Sequence, residues 1–346
     1  MGDLISSGGV NLTGNTITLG SNLNSSTYVK IDNSGPLTIA SGTMNLTGNF
    51  TQTGTGTVSL AASIATQGSI SFAGALTITG NTTLQGSKGL TLPVSVTASS
   101  DGCNFILNAG SNSLKIQSLG SEDVRFGSLG ITASTIDLGG DIYSSSSIKI
   151  DSPITISANT KIASADVNGI TLTKDVKVAN SSLTPTLTLD ATSAGSLAVN
   201  GLGTDAAPLG YVSLIGKNVF VSGNIASSGS VEILGTVKLF SSSTFKGDTG
   251  ITLDQDLFPN SDAVDITLQA FNGTVIVKNL GTDSSRLRNI TIQSAGPIES
   301  GTLYGNGGLD LSGTTITLGS NITASSYVKI TNTDLFNDFQ SGTFEF

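Results

Sequence analysis

The 346-residue chain has no histidine, no tryptophan, one cysteine and seven prolines, and only 11% of it is charged and 5% aromatic. A typical soluble domain is about a quarter charged. Without histidine the usual neutral-pH proton shuttle and the commonest metal ligand are missing. Ser-His-Asp and Cys-His catalysis, three-histidine zinc sites and HExxH chemistry are thereby excluded together, and the expectation is a protein that is not an enzyme. Cys103 alone forms no internal disulfide. Fifteen basic residues against 24 acidic ones leave a net charge of -9, the wrong sign for tracking phosphates, so nucleic acid is not an expected partner. No apolar run reaches the length of a membrane span, so no membrane insertion of this segment is expected. Met1-Gly2-Asp3 has neither a basic nor an apolar leader region, and repeat-like sequence follows at once, which reads as a piece cut from a longer array.

Ser, Thr, Asn and 43 Gly replace the missing charge, while 37% of the residues are hydrophobic. That is too apolar for a disordered Ser/Gly linker, which could not bury enough surface to offset its ordering entropy. The apolar residues come in short alternating triplets such as Ile17-Thr18-Leu19, Val29-Lys30-Ile31, Leu76-Thr77-Ile78 and Val231-Glu232-Ile233. Each is a period-2 strand signal, although Val219-Phe220-Val221 is apolar throughout. Gly-Ser, Gly-Asn and Ser-Ser-Gly clusters between them supply turns. No window holds a 3.6-residue period, so almost no helix is expected.

The chain also repeats itself. Segments of about 80 residues begin at Gly89-Leu-Thr-Leu92, Gly169-Ile-Thr-Leu172 and Gly250-Ile-Thr-Leu253. Each continues through two apolar triplets, Phe105-Ile-Leu107 and Leu114-Lys-Ile116 in the first, to a Leu-Gly turn at Leu119-Gly120, Leu202-Gly203 or Leu280-Gly281. An Ile-x-Ser-Ser-x-Ser element recurs at 142–150 and 225–233, and residues 8–34 match 307–333 at 17 of 27 positions. Units of this size that cannot bury their apolar faces alone must stack. Two or three strands per turn give coils of about 20 residues. The fold expected is therefore all-β, a parallel β-helix (β-solenoid) of roughly 16–17 coils running continuously over residues 1–333, a rod on the order of 80 Å long at the strand spacing of a sheet. A pair of β-sandwiches would fit the strand lengths but not the 80-residue recurrence.

The phrases Gly-Ile-Thr-Leu, Leu-Thr-Leu-Asp-Ala (187–191), Gly-Ser-Leu-Ala-Val (195–199) and Ser-Gly-Asn-Ile (222–225) resemble the filamentous-haemagglutinin-like repeat regions of large bacterial surface adhesins, many exported by two-partner secretion. Phage tail fibres with Leu-Thr-Gly-Asn repeats look similar too. The resemblance to the adhesins implies a right-handed β-helical stalk, an extracellular or cell-surface location, a role in adhesion or biofilm, and no cofactor. Its partners would be glycans or proteins of a host or neighbouring cell. The alternatives are a fibre subunit that self-assembles head to tail and a carbohydrate-active β-helix.

Few constellations point to chemistry. Ser-x-x-Lys occurs at Ser146/Lys149 and Ser326/Lys329, the spacing of Ser-Lys acyl enzymes. Both lysines sit mid-triplet and so point outward from a strand, where no helix brings Ser and Lys together. Asp254, Asp256, Asp262 and Asp265 surround a Pro259-Asn260 turn and form a weak calcium candidate, since several carboxylates in a flexible loop suit that ion. Gly305 to Asp310 faintly echoes a calcium nonapeptide but lacks a tandem copy. A polysaccharide lyase would need an Arg or Lys base, and the chain has only Arg125, Arg286 and Arg288. Thr-x-Thr pairs such as Thr77/Thr79 do not recur on every coil, which argues against an ice-binding array. Nine Asn-x-Ser/Thr sequons, among them Asn11, Asn45, Asn180 and Asn321, are close to chance for this composition. The tail, 334–346, breaks the pattern and holds Phe336, Phe339, Phe344 and Phe346. These aromatics are expected to cap the exposed end of the solenoid, or else to form a docking edge for head-to-tail assembly or the start of a next module.

Overall fold

The computed structural model describes residues 3–93 and 95–333 and the backbone of 344 and 345. The chain is all-β, with parallel strands stacked in about 16 coils of roughly 20 residues, a β-solenoid. It divides into two compact units, Met1–Asp166 and Val167–Phe346. There is no helix among the described residues. Of the tail aromatics, Phe336, Phe339 and Phe346 lie outside the described residues, and of Phe344 only the backbone is described, in a short strand where it pairs with Ile322.

The alternating triplets explain the fold directly. In the N-terminal unit three stacks of short strands run in parallel, and like positions pair from coil to coil. One column reads Leu23, Met44, Ile64, Leu84, Leu107, Ile131 and Ile150. A second contains Val29, Phe50, Ile70, Leu90, Leu114, Ile136 and Ile154. All of these side chains are buried, while the middle residues of the triplets face outward. Full burial stabilises each large aliphatic by about 1.5–3 kcal/mol, and a register slip of one residue would turn every such side chain to water.

The C-terminal unit is built the same way, with a column Ile170, Leu197, Val219, Val237, Leu257, Leu280 and Leu303. Here two adjacent coils carry unusually long strands, Tyr211–Val221 and Ser230–Leu239, whose pairing shifts register between Ile215 and Asn218. The corner needs glycine: Gly235 has φ +149°, and a Cβ on it would lie 1.8 Å from the Gly216 carbonyl oxygen.

Side chains extend the ladder around the corners. Asn22, Asn49, Asn104 and Asp141 in the first unit accept backbone N–H bonds from Thr43, Ser69, Ser128 and Lys161, one coil further on, at 2.7–3.0 Å. In the second unit Asp175, Asn224, Asn279 and Asn289 do the same for Gly201, Thr244, Thr302 and Gly308. Inside the coils, buried Ser25, Ser164 and Ser294 donate to carbonyls of the preceding coil, Gly8, Ser146 and Gly273, and accept the N–H two residues on. The same pairing at Ser144, with Gly127 and Ser146, and at Ser227, with Gly210 and Gly229, closes the Ser-Ser turns of the recurring sequence element.

Candidate functional site

The three Leu-Gly turns are three copies of one device. The glycines adopt φ of +71°, +68° and +78° at Gly120, Gly203 and Gly281, a region that favours glycine. Each then opens into a small loop closed by backbone bonds, Ser121 N–H to Val124, Thr204 N–H to Ala207 and Thr282 N–H to Ser285. Buried residues pin both ends: Leu119 and Phe126, Leu202 and Leu209, Leu280 and Leu287. The middle loop projects Asp205, which pairs with Lys246 Nζ at 2.8 Å, and the first projects Glu122, which pairs with Lys161 at 3.6 Å. Asp205 and Glu122 are largely exposed, so each pair contributes at most about 1 kcal/mol.

The middle loop overhangs a groove of about 620 Å³ lined by Asp175, Asn200, Asp205, Asn224 and Lys246. Most of its polar groups are oriented. Asp175 Oδ1 accepts Asn200 Nδ2 at 2.8 Å and the Gly201 N–H at 3.0 Å, and Asn224 Oδ1 holds Thr244. A second depression of about 400 Å³, lined by Thr171, Thr173, Ala198, Phe220 and Phe240, shares Asn200 and Ser222 with the first, so the two form one trough.

The apolar half follows from register. The middle residues of successive triplets here are Thr171, Ala198, Phe220, Lys238 and Phe258. In other triplets this outward position is usually Thr, Ser, Lys or Asp. Phe220 packs edge-on against Phe240 at 6.0 Å between centroids. Phe240 is 48% exposed, and the Lys238 ammonium lies 5.7 Å from its ring centre. Lys161, Lys246 and Lys329 have carboxylate partners, whereas Lys238, like most of the lysines, has none within ion-pair distance among the described residues.

The residues singled out from sequence fall elsewhere. Among the described residues no three His, Cys, Asp or Glu side chains are grouped to hold a metal ion. Asp256 accepts Asn279 Nδ2 at 2.9 Å, Asp254 accepts Gln255, and Asp262 is exposed. Asp265 is held by Arg288 Nε at 2.8 Å and by Asn289, and the guanidinium keeps its carboxyl below the usual carboxylate range. Arg125 Nε donates to the Glu122 carbonyl and its guanidinium lies over Tyr143, while Arg286 is tied to Asp283 in the same way that Arg125 is tied to Glu122, by a carbonyl bond within its own loop. Lys149 is exposed between buried Ile148 and Ile150, and Lys329 pairs with Asp310 at 3.2 Å. Burial pushes the Tyr143 and Tyr211 hydroxyls up, helped by Asp141 and Glu232 respectively.

No protein-family model matches the chain, and no curated protein or solved structure matches it either.

Proposed function

We propose that the chain is a non-catalytic, extracellular structural or adhesive stalk segment of a bacterial surface adhesin. The observation that carries this reading is the coil-to-coil continuity within each unit. Backbone ladders, stacked aliphatics and corner Asx side chains all bond neighbours along one direction, which suits an element that holds something at a distance from a cell. Stability in such a stack is a sum of coil terms and nearest-neighbour interfaces, so length is gained without a larger core. Neutral Thr, Ser and Asn cover the outside, and the three arginines that a lyase would draw on are each already tied to a carbonyl or carboxylate.

Mild protease treatment of intact producing cells tests the location. Release of fragments of this chain is expected, and full protection until lysis would sink the reading. Negative-stain microscopy of the purified chain over a wide concentration range separates it from the alternative of a self-assembling fibre subunit: isolated particles favour the stalk, long filaments the fibre.

A further inference from the structure

We infer that the trough spanning Thr171 to Lys246 in the C-terminal unit binds a short acidic oligosaccharide, with pyranose rings resting on Phe220 and Phe240 and a ring carboxylate on Lys238. Four features converge on this ligand class. First, outward Phe220, Phe240 and Phe258 do no core work in the coils that carry them, and an exposed aromatic face packs well against the C–H face of a pyranose. Second, Lys238 stands at the edge of the trough, outside its lining, between Phe220 and Phe258 in register and beside Phe240, and has no carboxylate partner among the described residues. The residue is half-buried, and its ammonium lies beside the Phe240 ring where an anion can meet it. Among the described lysines that lack a carboxylate partner, Lys238 is distinguished by the aromatic ring beside its ammonium. Third, the adjoining half of the trough presents Asn200, Asp175, Asp205 and Lys246, the mixed amide, carboxylate and ammonium set that sugar hydroxyls bond. Asp205 is paired with Lys246, and Asp175 Oδ1 is oriented by Asn200 and Gly201, so this half offers fixed acceptors to hydroxyls and leaves the Lys238 end for the carboxylate. Fourth, successive coils repeat at the parallel-strand spacing of about 4.8 Å, close to the length of one pyranose residue, so a linear glycan lying across the coils meets one outward side chain per sugar. A concave surface with an apolar floor and a few oriented polar groups is the usual form of a ligand site.

This inference deepens the adhesive reading and rests on it for its setting. The test is calorimetric titration of the full chain with tetragalacturonate, with its methyl-esterified form, and with a sialyl-terminated trisaccharide. The expected result is saturable binding of one or both carboxylated sugars that weakens with added salt, and weaker binding of the ester. The two acidic probes distinguish a uronate chain from a sialylated terminus. Phe240→Ala is expected to weaken Kd by about tenfold, equivalent to about 1.4 kcal/mol. Lys238→Met should remove the preference for acid over ester, and Lys238→Arg should retain it. Phe240 is half exposed and Lys238 outward, so both variants keep their β-rich circular dichroism. No saturable binding of either acidic sugar, or binding that Phe240→Ala and Lys238→Met leave unchanged, overturns the site while the stalk stands. Cleavage of a bound probe upholds the site and ends the non-catalytic reading.

Discussion

The two units use the same fold and opposite placements for their scarce aromatics. In the N-terminal unit Phe50, Phe72, Phe105 and Phe126 are all buried, Phe50 and Phe72 in a tilted pair at 5.2 Å between centroids and Phe105 and Phe126 stacked at 5.3 Å. Among the described phenylalanines of the C-terminal unit only Phe245 is buried, and Phe220, Phe240, Phe258 and Phe271 face outward to differing degrees. The amides divide similarly. Gln52 and Asn33 are buried in the first unit, where Gln52 Nε2 donates to Asn33 and Gly54 and its Oε1 accepts the Ala73 and Gly74 N–H groups. In the second, Gln269 and Gln293 form their ladder on the outside at 2.8 Å. An inward aromatic fills volume that the next coil must match. An outward one has no such duty, which is why the same residue type reads as packing in one unit and as recognition surface in the other.

Truncation is the strongest way to break this comparison. Phe105→Ala empties a fully buried position stacked on Phe126 and is expected to cost about 3–5 kcal/mol. Phe240→Ala should stay within about 0.5 kcal/mol, as surface changes do. Urea midpoints of the two variants decide it, and equal losses would mean that the outward rings are structural after all. Gln52→Ala comes next. It leaves the buried Asn33 oxygen and the Gly74 N–H without their partner, while the Ala73 N–H keeps its bond to the Gln52 backbone carbonyl, so a loss of about 2–3 kcal/mol is expected, while Gln269→Ala should be nearly silent. Hydrogen exchange at Gly74, accelerated in the first variant alone, would localise the cause.

The turn copies sharpen the comparison further. A Cβ at Gly203 would lie 2.4 Å from the Ala226 carbonyl oxygen, whereas at Gly120 the nearest contact, the Tyr143 carbonyl oxygen, is 3.0 Å away. Both have positive φ, so alanine strains both, by about 1–3 kcal/mol. Gly203→Ala should fall at the upper end and Gly120→Ala at the lower, as read from thermal midpoints. The reverse order would mean that φ alone, and not the close approach of the neighbouring coil, sets the cost.

Much of this architecture is legible in the sequence, because its code is local. Leu76-Thr77-Ile78 states which face is buried, the 80-residue recurrence requires stacking, and Leu119-Gly120, Leu202-Gly203 and Leu280-Gly281 mark one device three times. The corner ladder is not legible. Asn22 looks like any turn asparagine until Thr43, 21 residues later, is placed above it. The trough is hidden for the same reason: Phe220, Lys238 and Phe258 are neighbours only once coil lengths are known, and Phe240 joins them from beyond a strand end. One signal was present. Val219-Phe220-Val221 breaks the apolar-polar alternation with an aromatic ring at its middle position, and the break falls at the centre of the apolar surface. The carboxylates around Pro259 mislead in the opposite sense, since closeness in sequence hides that Asp256 and Asp265 reach to Asn279 and Arg288 on later coils.

Acid distinguishes the units through their arginines, with the smallest effect of the series. Arg125 in the N-terminal unit is held by the Glu122 carbonyl and the Tyr143 ring, neither of which loses charge in mild acid. Arg288 in the C-terminal unit is held by Asp265, whose carboxyl is lowered from its ordinary value of 3.8, chiefly by the bond from that arginine. A group whose folded pKa is depressed contributes stability above its unfolded pKa and loses it as pH falls through the folded value. The wild type should therefore lose about 1 kcal/mol or less from this site below about pH 4, a loss that Asp265→Asn shows already at neutral pH and does not show again in acid. Arg125→Met should shift stability by a similar small amount at both pH values. If Asp265→Asn retains the wild-type acid dependence, the Asp265–Arg288 pair is not its source, and the arginines of the two units are held in energetically equivalent ways.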